Sequence, residues 1–198
     1  MNKYWLILLL FFCAYKVQGQ SLDLRLLEHI NGPVSDADGT WRDVSKSVYV
    51  TGLLTPVTML TVGLANHDKE LEIKAVETGT AILLAEGVTV GLKSITKRER
   101  PYLAHPDLIT GKSNSTDYSF PSGHTSVAFA TATSLSLAYP KWYVIAPSFL
   151  YAGSVGYSRM YLGVHYPSDV LAGALVGAGT SFLSWELQKL LNKKYHYH

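Results

Sequence analysis

Charge and cysteine are both scarce in this 198-residue chain, and each scarcity excludes something. Asp, Glu, Lys and Arg make up only 16% of the residues, and the formal net charge is +2. No basic run is interleaved with aromatics, so nucleic acid, which needs clustered phosphate-neutralising charge, is excluded as a partner. The single cysteine, Cys13, leaves no partner for a disulfide, and cysteine usage neither requires nor forbids an oxidising compartment. Phe12 stands before Cys13 where lipoprotein attachment would want a small residue. Internal repeats and low-complexity tracts are also missing. The length allows one domain with a sizeable core.

What is present is apolar: hydrophobic residues make up 47% of the chain, and the mean hydropathy is +0.11. The N-terminus reads as a secretory signal over residues 1–19. Asn2 and Lys3 form a basic start, Trp5 to Ala14 an apolar stretch, and Val17-Gln18-Gly19 a small-residue cleavage region, with an uncleaved anchor as the alternative. The domain is then residues 20–198. It opens on a polar, turn-rich stretch (Asn31-Gly32-Pro33 and Asp36 to Gly39), followed by five apolar segments of helical length: Ser47–Asn66, Ala75–Leu92, Ser122–Tyr139, Trp142–Ser158 and Val170–Trp185. Their lengths fall near the lower end of the ~17–25 residues that span a bilayer. Their richness in Gly, Ala, Ser and Thr suits close packing in lipid, and also the core of a compact soluble bundle. The expected fold is therefore all-α, a helical bundle of about five apolar helices, embedded in the membrane, with its site at one end. Gly173 and Gly177 form a GxxxG spacing that reads as packing, and no oligomeric state follows from it.

If each segment crosses once, the connections alternate between the two sides, and every polar motif falls on the outer one. The long connection from Pro101 to Pro121 is polar and turn-prone, as functional lids often are. Counts of Lys and Arg do not help with orientation, because the outer stretches carry more of them.

Three polar signatures share that face. Lys93, Arg100 and Pro101 end the second apolar segment, Pro121-Ser122-Gly123-His124 opens the third, and Ser158-Arg159 precedes His165 and Asp169. A Pro-Ser-Gly turn entering a helix leaves first-turn N–H groups free for an anion, which the helix dipole also favours. Pro167 suits the first position of a helix, so Asp169 falls in the opening turn, able to reach back to His165. A carboxylate on one imidazole nitrogen fixes the tautomer and frees the other nitrogen to attack. Lys93, Arg100 and Arg159 supply cations for the oxygens of a transferring phosphoryl group. Lys97, Arg98 and Lys112 read as ordinary solvated charges, and His29, His67, His105, His196 and His198 have no partner spacing.

A divalent metal on His124, His165 and Asp169 is disfavoured, since three nearby cations would repel it. A P-loop at Gly111-Lys112-Ser113 fails because position 106 is Pro106. Asn114-Ser115-Thr116 matches a glycosylation acceptor by chance.

Together the motifs Kx6RP, PSGH and SRx5Hx3D resemble the signature of the type 2 phosphatidic acid phosphatase (PAP2) superfamily, with every fixed position present. The resemblance implies that His165 is a nucleophile forming a phosphohistidine, Asp169 its orienting partner and His124 the general acid. It also implies that Lys93, Arg100, Ser122, Gly123 and Arg159 bind phosphoryl oxygens, with no cofactor and no metal. The implied activity is hydrolysis of a phosphorylated membrane lipid: phosphatidic acid, phosphatidylglycerophosphate, a polyprenyl diphosphate or a lipid A phosphate. The implied place is a bacterial inner membrane with the site facing the periplasm. A soluble periplasmic acid phosphatase and a vanadate-dependent haloperoxidase would use the same residues, and a site that merely binds an anionic head group would need only the cations.

Overall fold

The computed structural model describes residues 22–195, and side chains through residue 190. The expected signal segment, Cys13, His196 and His198 lie outside the described residues. The protein is all helical, with no strand among the described residues. Helix α1 (22–31) is followed by α2 (Ala37–Asn66), α3 (Lys69–Thr96), the single-turn α4 (Pro101–Ala104), α5 (Gly123–Ala138), α6 (Trp142–Tyr161) and α7 (Pro167–Tyr195).

The five long helices coincide with the five apolar segments, but four of them, α2, α3, α6 and α7, overrun the apolar limits into charged sequence. Helix α2 starts at Ala37, so Asp36 to Gly39 is not a turn region but the entry to a helix, with Asp38 in its first turn where the helix dipole favours an acid. Residues 22–31, for which the sequence sets no expectation, are helical too. Helix α3 begins at an Asp68 N-cap whose carboxylate accepts the Leu71 N–H at 3.0 Å, and Lys74 pairs with Glu70 at 2.6 Å one turn on. His67 and Lys97, both in the left-handed region, close α2 and α3.

Helix α5 is central, packed against α2, α3, α6 and α7. Its sequence permits this because it is almost all small: Ala128, Ala130, Ala132, Ser126, Thr131 and Ser134 are buried along it. Large apolar side chains point the other way. Leu83 on α3 is 75% exposed and Leu150 on α6 72%, and Leu53 on α2 and Leu171 and Leu175 on α7 are exposed too. Small residues inside and large apolar ones outside is the arrangement of helices packed in lipid, where leucine gains nothing by leaving the surface. Helices α2, α3 with α4 (Lys69–Ala104), and α7 are each long and apolar enough to cross a membrane. Helix α5, at 16 residues, is short of that span and is enclosed by its neighbours.

The GxxxG of α7 lies against α5. A Cβ on Gly177 would stand 2.2 Å from the Ser126 carbonyl oxygen, and one on Gly173 2.6 Å from that of Ser122. Both glycines therefore serve a close helix–helix approach within the chain.

Candidate active site

At one end of the bundle, the start of α5, the start of α7 and the ends of α3 and α6 converge, and each brings one signature. Pro167 opens α7, so Asp169 falls in its first turn and its Oδ2 accepts the Tyr166 N–H at 2.9 Å, closing the turn before the helix. The same oxygen lies 3.5 Å from His165 Nδ1. Both side chains are buried, and Nδ1 has no hydrogen-bond partner among the described residues. The other ring nitrogen, Nε2, faces Arg100 Nη1 at 3.2 Å. The imidazole thus has one nitrogen toward a carboxylate and the other toward a cation. Burial first, then the charges of Arg159, Arg100 and Lys93, hold its pKa well below the usual range, so the ring is neutral.

Arg100 enters from the residue before α4 and is 3% exposed. Besides His165 it binds the Val164 carbonyl at 2.8 Å and the Asp117 carbonyl at 2.9 Å, and its Nη2 pairs with the Asp117 carboxylate. Lys93, in the last turn of α3, pairs with the other Asp117 oxygen at 2.7 Å and also binds the Tyr118 carbonyl. Asp117 feels burial as a force raising its pKa, but the two cations outweigh it and hold the carboxyl at about 2.

Arg159, near the end of α6, is 4% exposed; it donates to Ser45 Oγ, and its Nε has no partner among the described residues. Ser122 caps α5 and receives the Thr125 hydroxyl at 2.9 Å, while its own N–H donates to the Asp169 carbonyl at 3.0 Å, joining the two helix starts. A Cβ on Gly123 would meet only ordinary contacts, 3.5 Å from Thr89 and 3.7 Å from Glu86, so packing against α3 does not require glycine there. His124 is partly exposed; its ring packs edge-on against Tyr49 at 4.7 Å between centroids, and Arg159, Arg100 and Lys93 are its charged neighbours. All eight residues expected from the sequence are therefore at this end of the bundle.

Two of the three cations read as solvated charges are not solvated. Arg98 donates to Asp169 Oδ1 at 2.6 Å, to Ser168 Oγ at 2.7 Å and to Asp23 Oδ2 at 2.8 Å, and its guanidinium lies 3.9 Å above the Tyr166 ring. Asp23, from α1, also accepts the Ser168 N–H at 2.8 Å. The carboxylate beside His165 is thus held by an arginine that is itself held by a second carboxylate. Lys112 is buried, donating to the Asn31 carbonyl at 2.6 Å and lying 3.4 Å from Asp38 and 3.9 Å from the Tyr161 ring. Its backbone N–H binds Leu162 O at 3.0 Å, and Asn31 grips Thr110 from both sides, so the connection expected to be lid-like is pinned along its first half. No local spacing signals these pairs. Lys97 does remain exposed.

The family described as the PAP2 superfamily matches residues 74–193. An undecaprenyl-diphosphatase of Sulfolobus acidocaldarius is 48% identical over 73 residues, 37% of this chain and 35% of that protein. The chain thus spans about a third of the length of that curated relative. The crystal structure of Aquifex aeolicus LpxE superposes with a TM-score of 0.69 at 30% identity, over 83% of this chain and 95% of that one. A transmembrane PAP2 type phosphatidylglycerolphosphate phosphatase from Bacillus subtilis shares the fold at a TM-score of 0.69 and 23% identity, over 93% and 94% of the two chains.

Proposed function

Because the chain belongs to the PAP2 superfamily, we propose that it is a membrane phosphatase hydrolysing the phosphate ester of a lipid, without metal, through a phosphohistidine. The observation that carries the reading is the orientation of His165, with Nδ1 toward Asp169 and Nε2 toward Arg100 inside a group of buried cations. A neutral imidazole so held is a nucleophile aimed at the place where a phosphoryl group would be bound.

In the first step the Nε2 lone pair forms the N–P bond as the P–O bond to the lipid breaks. The leaving oxygen takes a proton from His124. Nδ1–H then carries developing positive charge, which Asp169 offsets at close range. In the second step His124, now neutral, takes a proton from water, whose oxygen bonds to phosphorus as the N–P bond breaks. Phosphate and the resting imidazole are restored. Lys93, Arg100, Arg159 and the first-turn N–H groups behind Ser122 and Gly123 neutralise the phosphoryl oxygens throughout. A bound phosphate dianion supplies the negative charge that lets His124 carry a proton amid its cationic neighbours.

The likeness to an undecaprenyl-diphosphatase and the exposed apolar exterior favour a phosphorylated membrane lipid over small soluble phosphates. Phosphatidic acid, phosphatidylglycerophosphate, polyprenyl diphosphates and lipid A phosphates form the panel to test. The reading places the site on the periplasmic side, which alkaline-phosphatase fusions to the 105–122 connection and to the α2–α3 turn would check. The decisive measurement is phosphate release by the purified protein across that panel, with EDTA and with vanadate. Activity that resists EDTA, yields to vanadate and falls by at least about 10³-fold in His165→Ala is expected. A fully active His165→Ala protein would end the assignment.

A further inference from the structure

We propose that Asp117 is the resident counter-anion of the phosphate site: its carboxylate holds Lys93 and Arg100 in the empty protein and is exchanged for the phosphoryl group in each turnover. This role rests on the phosphatase reading above. The carboxylate divides its oxygens between the two cations, Oδ2 at 2.7 Å from Lys93 Nζ and Oδ1 on Arg100 Nη2. A guanidinium and an ammonium converging on two oxygens of one anion would serve two oxygens of a phosphoryl group equally well.

The contrast with Asp169 shows why Asp117 is the exchangeable one. The Asp169 side chain is fully buried and is bound by Arg98 and by a backbone N–H. The Asp117 side chain is 56% exposed, and among the described residues it bonds only to Lys93 and Arg100. Those cations are far more enclosed, at 3% for Arg100 and 11% for Lys93. An exposed anion on buried cations can leave toward solvent, whereas the cations cannot follow it. Next to Asp117 the chain is held by the same two cations, the Asp117 carbonyl on Arg100 and the Tyr118 carbonyl on Lys93, so an anion that draws the cations away loosens the backbone as well. Lys112 is anchored to Leu162 and Ser119 to Arg98 by backbone bonds, and the residues between them include exposed Asn114, Thr116 and Tyr118. An open groove lined by Lys97, Arg98, Leu103 and Thr116 adjoins the carboxylate and gives it somewhere to go. Since the two cations keep the carboxyl ionised far below neutrality, protonation does not release it. A competing anion does.

An anion that needs both cations binds with an affinity reduced by the fraction of molecules in which Asp117 has left. Substrate and inorganic phosphate are reduced alike, so the exchange keeps the product from remaining in a site built to neutralise phosphate. The test is calorimetric binding of inorganic phosphate to the full chain in detergent. Asp117→Ala and Asp117→Asn are expected to bind phosphate roughly tenfold tighter than the unmodified protein. Equal or weaker binding by both overturns the proposal and makes Asp117 a holder of the cations. If neither the unmodified protein nor the variants bind phosphate, the phosphate site itself falls, and the phosphatase reading with it. Hydrogen exchange on the unmodified protein needs no variant. Phosphate should speed exchange at residues 116–118, and unchanged or slower exchange there overturns the displacement.

Discussion

The site end of the bundle and the seam between α5 and α7 are both polar and both buried, yet they are held together by different physics. At the seam the polar groups are hydroxyls and backbone carbonyls, and the fit is set by missing side chains at Gly173 and Gly177. At the site end the groups are full charges in alternating order: Asp23, Arg98 and Asp169 beside His165, and Lys93, Asp117 and Arg100 on its other side. The seam has one acceptable geometry because backbones touch. The site end has one acceptable geometry because buried charge without a partner is costly. A steric seam does not care which anion is present, whereas an electrostatic one can exchange partners, and that difference is why the proposed exchange belongs at the end of the bundle and not in its middle.

The largest effect should come from adding a single carbon to the seam. Gly177→Ala puts a Cβ 2.2 Å from the Ser126 carbonyl and 2.7 Å from the Ala130 nitrogen, both backbone atoms that cannot yield without moving α5. A loss of at least about 3 kcal/mol is expected, at or beyond the upper range of overpacking. Gly179→Ala, two residues away on the same helix with nothing within 4 Å, should instead be neutral or stabilising by up to about 1 kcal/mol. Thermal melts in detergent separate the two; equal melting points would show that the seam is looser than its spacing implies.

Next in size is Arg98→Ala, which leaves Asp23 and the fully buried Asp169 without their shared cation. Breaking a fully buried pair from one side costs about 3–5 kcal/mol, and because Arg98 is 24% exposed the expected loss is smaller, about 2–3 kcal/mol. Arg98→Lys retains the charge but not the fork that reaches Ser168, Asp169 and Asp23 together, so it should recover part of that stability and less of the turnover. If Arg98→Lys matched the unmodified protein in phosphate release, the orientation of Asp169 would not depend on the fork.

The same contrast explains what could be read in the sequence. The helices were legible because apolar, small-residue segments are long and uninterrupted, and the GxxxG of α7 announced a close contact. Helix ends were less legible: hydropathy stops at Ser47, while the backbone continues helical back to Ala37 through Arg42 and Lys46, which are exposed and need no burial. Within the site, residues that would touch a phosphoryl group stand at fixed spacings, so the three signatures located them. The residues that hold those residues do not. Arg98 finds Asp23 75 positions away and Asp169 71 positions away, and Lys112 finds the Asn31 carbonyl 81 positions away. A long-range ion pair leaves no local periodicity, so Arg98 and Lys112 looked like solvated charges until the helices were assembled.

The smallest effect tests the seam's polar component. Ser181, 2% exposed, donates to the Ala130 carbonyl at 2.9 Å across the seam and accepts from Ser134 Oγ at 3.0 Å. The Ala130 carbonyl belongs to a helix and keeps its ladder partner when the serine is gone, and it lies four residues before Ser134, where the Ser134 hydroxyl can turn to it. Ser181→Ala should therefore cost only about 0.5–1.5 kcal/mol, in line with interhelical hydroxyl bonds in membranes, and leave phosphate release unchanged. The distinction between the two regions depends on this value being small. If Ser181→Ala destabilised the protein as much as Arg98→Ala, hydrogen bonds and not backbone contact would be holding α7 to α5. The seam would then differ from the site end in the size of its charges but not in kind.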